Sequence, residues 1–265
     1  MQDYYYFYLT KLRTIFDIAM RMFYHLGRYT LFLKKVFGKP EKHAIFIRQI
    51  VREIDKLGID SLGIVVIISA FMGAVITLQT AYGIDLPIIP RYTVGFAARD
   101  SILLEFSSTI VGLILAGKVG SNIASEIGTM RVTEQIDALE IMGVNPANYL
   151  VLPKVIAFIT FIPFLVIISM GIGITGGFVA GSLTGEVPSP EYIYGIQYAF
   201  QPFYVVYALI KAVVFGFIIA TISAYYGYYV QGGALEVGKA STKAVVSSSI
   251  QILLFNLILT QLLLA

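Results

Sequence analysis

The chain has 265 residues, of which 57% are hydrophobic and only 13% charged. Soluble domains carry roughly 25% charged residues, so this composition excludes a soluble globular protein and points to an integral membrane protein. Cysteine is absent, which excludes a disulfide framework, a thiol nucleophile and a thiolate metal site, and at a net charge of +3 the distribution of charge says more than its sum.

Residues 1–37 are basic, aromatic-rich and amphipathic. Phe16, Met20, Phe23 and Gly27 fall on one side of a helix, with Lys11, Arg21, Arg28, Lys34 and Lys35 near them. Such a helix lies in the interface plane of an anionic leaflet. No signal peptide is expected, because this stretch alternates charges with aromatics and lacks a clean apolar core. The two histidines, His25 and His43, lie in the charged N-terminal part of the chain away from any carboxylate cluster, so no metal site is expected. Gly38-Lys39-Pro40 breaks the helix. Residues 43–57 then form a second amphipathic stretch, with Ile47, Ile50 (or Val51) and Ile54 apolar. Residues 1–60 thus read as interfacial helices, and residues 61–265 as the transmembrane domain.

Five apolar runs follow, at 62–82, 101–117, 155–182, 203–224 and 244–265. About 20 residues of helix cross a ~30 Å hydrocarbon core, so the fold class is all-α with five spans. The second run is the weakest, because it holds Glu105, Ser107, Ser108 and Thr109. Residues 83–99 and 183–202 carry prolines and charges and read as loops on one side. Residues 116–154 and 230–243 read as loops on the other. Tyr225, Tyr226, Tyr228 and Tyr229 make a plausible interfacial belt. Lysine and arginine gather before the first run and in the loops at 116–154 and 230–243, while the opposite loops offer only Arg91 and Arg99. By the positive-inside rule the N-terminus and the 116–154 loop are cytoplasmic, and the C-terminus faces away.

The 116–154 loop is itself patterned as a helix. Ile123, Ile127 and Met130 recur at helical spacing, as do Ile136, Leu139 and Met142. A break is expected near Thr129–Thr133, and Gly143 stands where a left-handed cap would end the element, with Pro146 shortly after. Glu134, Asp137 and Glu140 recur every three residues and share a face. That face is either solvated or a dock for a basic partner.

The run EIGTMRVTEQIDALEIMGVNP within this loop resembles the signature of MlaE/YrbE-type permeases, the membrane subunits of MCE-associated ABC transporters. Sparser similarity extends from about Leu57 to the C-terminus and includes GKASTKAVVSSS at 238–249. The resemblance implies that loop 118–152 contains a coupling helix resting in a groove of a separate cytoplasmic ATPase, with Glu126, Met130, Glu134, Asp137 and Glu140 as contacts. It further implies a homodimer in a bacterial inner membrane. That dimer would move phospholipid, or a related hydrophobic lipid, to or from a periplasmic MCE-domain protein and so maintain outer-membrane lipid composition. Family members carry an acid at the Glu105 position and often a base at Lys211. Where the family commonly has Arg-Glu-Leu-Gly-Pro, this chain has Leu104-Glu105-Phe106-Ser107-Ser108.

Glu105 and Lys211 also stand out without the resemblance. A charge at the bilayer centre costs about 2.5–3.5 kcal/mol on insertion scales. Both are therefore expected to line a polar patch in an otherwise apolar lipid cavity, unless they snorkel to a span end. Gly173, Gly177, Gly181 and Gly185 repeat every four residues and form a small-residue ridge, for packing within one subunit or between two. No G-x-x-x-x-G-K-[ST] motif occurs, so the chain has no P-loop of its own and is not expected to be an enzyme; ATP would bind only to the partner ATPase, with no other cofactor. No nucleic-acid partner is expected. The alternative is a proton-coupled secondary transporter relaying through Glu105 and Lys211, which five spans without an inverted repeat disfavour.

Overall fold

A bilayer offers no water to unpaired backbone groups, so an apolar chain must satisfy them within each segment, and helix is the form that does so. The computed structural model describes residues 20, 23–38, 43–84 and 89–264, and among these every regular element is a helix. Five are long and apolar enough to cross a membrane: Ile45–Gly83, Tyr92–Val132, Ala147–Thr184, Phe203–Tyr228 and Ala234–Leu264, hereafter spans 1 to 5.

Helix α1 covers 23–36. Span 1 comprises α2 (His43–Glu53), a π-helical turn (Ile54–Ile59) and α3 (Asp60–Gly83). The second amphipathic stretch is therefore continuous with the first span instead of separate from it. Span 2 runs from α4 (Tyr92–Ser101) through a π segment (Ile102–Ile110), α5 (Val111–Leu115) and a further π turn (Ala116–Gly120) into α6 (Ser121–Val132). It is 41 residues long, or roughly 60 Å at ~1.5 Å per residue, about twice the hydrocarbon thickness. Much of what the charge pattern reads as loop, at 92–99 and 116–132, is thus helix. After the short α7 (Gln135–Ile141), span 3 is a π turn (Ala147–Val151) and α8 (Leu152–Thr184); α9 (Ser189–Gln197) interrupts the next connection; α10 (Phe203–Tyr228) and α11 (Ala234–Leu264) complete the chain.

The connection at 183–202 is likewise not simply a loop. Its helix α9 packs on α4, with Gly95 against the Tyr192 backbone and Gly195 against the Tyr92 carbonyl, each too close for a Cβ. Arg99 fastens this corner. It is 1% exposed, bonds Asp100 through Nε and Nη2 at 2.9 and 2.7 Å, and donates through Nη1 to the Ile196 and Tyr198 carbonyls at 2.7 and 2.8 Å. The guanidinium that reads as a loop charge is a buried bolt, sustained by a neighbouring carboxylate and two carbonyls.

The glycine ridge packs inside the subunit. Gly73 of α3 lies against the Gly173 carbonyl of α8, and Gly177 against the Thr77 and Tyr192 side chains, again with no room for a Cβ. Ser69 donates to Ser169 at 2.8 Å across the same seam. Gly181 meets Val187. Gly185 is not part of the ridge: at φ +75° it is the left-handed cap that ends α8.

Helix α1 packs on the bundle through Phe32 and Val36, not through the face expected in the membrane interface. Phe32 and Val36 are fully buried, while Met20, Phe23 and Gly27 are exposed; Phe16 lies outside the described residues. Phe32 packs among the rings of Tyr225, Tyr228 and Tyr229. The far end of α1 is held by two amides. Asn148 Nδ2 donates to the Val36 and Gly38 carbonyls, both at 2.7 Å, and Asn145 Nδ2 to the Lys35 carbonyl at 2.9 Å. These satisfy carbonyls that a helix end leaves open.

Candidate functional site

The π segment of span 2 brings Glu105 to face span 4, where Lys211 waits. Lys211 Nζ donates to Glu105 Oε1, the Leu104 carbonyl and the Tyr207 hydroxyl, each at 3.1 Å. An ammonium has three protons, and here each has an acceptor. Lys211 thus has no exposed surface and no unpaired donor. Glu105 Oε2 accepts from Thr109 Oγ1 at 3.0 Å and Asn256 Nδ2 at 3.1 Å. Tyr207 and Thr260 share a hydroxyl bond at 2.8 Å. One polar network therefore joins spans 2, 4 and 5.

The two charges are not equivalent. The Glu105 side chain is 48% exposed, whereas that of Lys211 is 0% exposed. Lys211 sits behind the carboxylate and does not itself line an open surface. What the site offers outward is a neutralised carboxylate, an acceptor for hydroxyl or ammonium donors. The sequence marks Thr109 only as a polar residue in a weak span and leaves Tyr207, Asn256 and Thr260 unremarked, since they carry no charge. The signal for Asn256 is an amide standing alone in ILLFNLIL.

At one end of the bundle α6 stops at Val132, and the chain reverses through Thr133 and Glu134, whose φ is +59°. Helix α7 follows and ends at Gly143, φ +80°. Both ends of this element stand close to where the side-chain pattern puts them. Its interior differs. Glu134 precedes the helix and is exposed. Asp137 is bound by Arg131 at 2.6 Å across the turn, and Glu140 accepts from the Tyr228 hydroxyl at 3.1 Å. The three acids therefore do not form one free row. Ile136 is buried as the anchor, and Ile141 and Met142 stand 87% and 67% exposed at the tip.

Glu126 and Met130 lie on α6 and point inward. Met130 packs on the main core. Glu126 Oε2 is bound by Lys56 at 2.8 Å and Lys154 at 2.9 Å, and Lys154 also holds Glu53 Oε1 at 2.7 Å. This four-membered ion cluster ties the ends of spans 1, 2 and 3 beside α7.

The family model Permease MlaE matches residues 50–262. A probable ABC transporter permease protein of Rickettsia prowazekii is 40% identical, covering 89% of this chain and 91% of that protein. One of Synechocystis sp. is 36% identical over 80% of this chain and 81% of its own length. The chloroplast protein TRIGALACTOSYLDIACYLGLYCEROL 1 of Arabidopsis thaliana is 32% identical over 83% of this chain and 62% of that protein. With the matched region reaching from within span 1 to within the last turn of span 5, and taking in the Glu105 network and the α6–α7 turn, the chain belongs to the MlaE permease family.

Proposed function

We propose that this multi-pass membrane protein is the permease subunit of an ABC transporter that moves phospholipid, or a related lipid, between the inner membrane and a periplasmic MCE-domain protein. The observation that carries the reading is the continuity of span 2. One helical rod bears the half-exposed Glu105 carboxylate and runs unbroken to the turn that starts α7. A displacement of α7 is thereby delivered to the Glu105–Lys211 ion pair between spans 2 and 4. In this reading α7 is the coupling helix. Its exposed tip, Ile141 and Met142 beside Glu134, enters the groove of a cytoplasmic ATPase, and that end of the bundle is cytoplasmic, with the C-terminus periplasmic. Asp137 and Glu140 hold the element in shape through Arg131 and Tyr228.

Lipid as cargo is supported by an outward-facing acceptor set in apolar walls, which suits an ammonium or glycerol hydroxyl of a headgroup above acyl chains. It is also supported by the lipid in the name of the Arabidopsis relative. A second copy of the chain completes the pathway; span 5 is the least covered of the five in a single subunit.

The test is affinity purification from solubilised membranes, with mass spectrometry of proteins and lipids. An ATPase and an MCE-domain protein are expected to co-purify with phospholipid. Asp137→Lys is expected to lose the ATPase, and Lys211→Ala to lower lipid transport and occupancy. A chain isolated alone and lipid-free, or full transport in Lys211→Ala, would sink this reading.

A further inference from the structure

The geometry points to a second ligand site, remote from the Glu105 network: a pocket for the phosphate of an anionic lipid, roofed by α1 at the end of the bundle that carries α7. It does not depend on the transport reading. Helix α1 precedes the region matched by the family model, yet it is firmly seated. Besides the buried Phe32 and Val36, Tyr29 and Thr221 share a hydroxyl bond at 2.7 Å, and His25 Nδ1 lies 3.2 Å from the Tyr225 hydroxyl. Between α1, the end of α10 and the first turns of α11 lies a half-open cavity of about 220 Å³. At ~30 Å³ of liquid volume per water, that is room for a phosphate group and its hydration.

The lining is cationic and rich in hydroxyls. Arg28, Lys239 and Lys243 face the cavity with Tyr226, Tyr229 and Gln231. One carboxylate is present, Glu236, and it is engaged by Lys239 at 2.6 Å. Among the described residues neither Arg28 nor Lys243 has a carboxylate partner. The Arg28 guanidinium lies over the Tyr229 ring, 3.8 Å from its centroid, which fixes its plane and leaves its donors free for an oxyanion. Two uncompensated cations beside phenol donors select a phosphate-type anion.

The surroundings make that anion lipid-borne. The pocket lies at the aromatic belt of span 4, the depth of headgroups. Beyond Lys239 and Lys243 the same face of α11 continues as Val246, Ile250, Leu253 and Leu257, spaced three and four apart and all exposed. A headgroup phosphate held by Arg28 and Lys243 would lay an acyl chain along this stripe. The outward face of α1, with Phe23, Leu26 and Leu31 exposed, would sit among neighbouring lipids.

The test counts lipids retained by the purified full chain, by native mass spectrometry, after equilibration with equal amounts of phosphatidylglycerol and phosphatidylcholine. Wild type is expected to hold phosphatidylglycerol in preference. A basic side chain at an anionic surface is worth ~1 kcal/mol, about fivefold, so Arg28→Gln/Lys243→Gln should lower that preference by about twentyfold. Lys34→Gln/Lys35→Gln removes the same charge from exposed positions on α1 and should leave it unchanged; helical circular dichroism checks that both variants fold. Equal retention of the two lipids by wild type, or equal losses in both variants, would overturn the site. If inorganic phosphate raises the thermal midpoint of wild type but not of Arg28→Gln/Lys243→Gln, and phosphatidylglycerol is not preferred, the ligand is a free anion and the lipid assignment falls.

Discussion

Glu105 and Lys211 make an unequal pair, and the inequality can be measured. Removing the carboxylate strands a fully enclosed ammonium with only a carbonyl and a phenol. Removing the ammonium leaves a half-exposed carboxylate that still accepts from Thr109 and Asn256. Breaking a buried pair by deleting one partner costs about 3–5 kcal/mol when the survivor is left uncompensated. Glu105→Ala should approach that figure, and Lys211→Met should cost about 1–2 kcal/mol, since its survivor keeps the hydrogen bonds from Thr109 and Asn256. Thermal unfolding in detergent tests the order; a larger loss for Lys211→Met would mean that the wrong partner has been taken as the enclosed one. Composition exposes these two residues, because an ionisable group in an apolar run is conspicuous. It does not expose their pairing, which spans 106 positions and depends on how spans 2 and 4 pack. Nor does it expose Lys211 as the hidden member, because depth along a helix is readable and the direction a helix faces is not.

At the level of elements, what can be read is whatever backbone chemistry writes locally. Gly143 ends α7 and Gly185 ends α8, each in the left-handed region where a Cβ is disfavoured. The apolar runs are spans because length and hydropathy suffice. Charged stretches read as lying between spans are continuous with them for one reason: Arg99, Glu126 and Lys154 each meet a partner from elsewhere in the chain, and a compensated charge can stay in a helix that a lone one would leave. The glycines of the α3–α8 seam give the sharpest contrast. Gly73→Ala forces a Cβ into the Gly173 backbone, which cannot yield without parting two spans. Overpacking of this kind costs typically about 1–3 kcal/mol, more where only backbone is in the way. Gly171→Ala, on the same α8 but in open space, should be neutral or stabilising by up to about 1 kcal/mol. Thermal midpoints of the two variants decide it; equal midpoints would mean that the seam is looser than its geometry.

Across the whole molecule, the ion cluster at Glu53, Lys56, Glu126 and Lys154 is the point where three spans are bound together. Its members differ in depth: the Lys154 side chain is 4% exposed and that of Lys56 41%. Lys154→Met leaves Glu53 and Glu126 with one exposed cation between them and should cost about 3 kcal/mol or more. Lys56→Met removes a pair reachable by solvent and should cost less than about 1 kcal/mol. If the two variants unfold at the same midpoint, the cluster is a surface network and does not fasten the bundle.

The seating of α1 also constrains the order in which the protein can be assembled. Its partners lie far along the chain: Asn148 is 112 positions after Val36, and Tyr225 is 200 after His25. At ribosomal speeds of about 5–20 residues per second, the helix emerges on the order of ten seconds or more before the tyrosines that receive it. In that interval Phe32 and Val36 have nowhere in the protein to go. A nascent α1 must wait on the membrane surface, with its apolar side chains in the interface, and roll its inner face onto the bundle only when span 4 is in place. It is therefore the first of the described helices to be made and among the last to be docked.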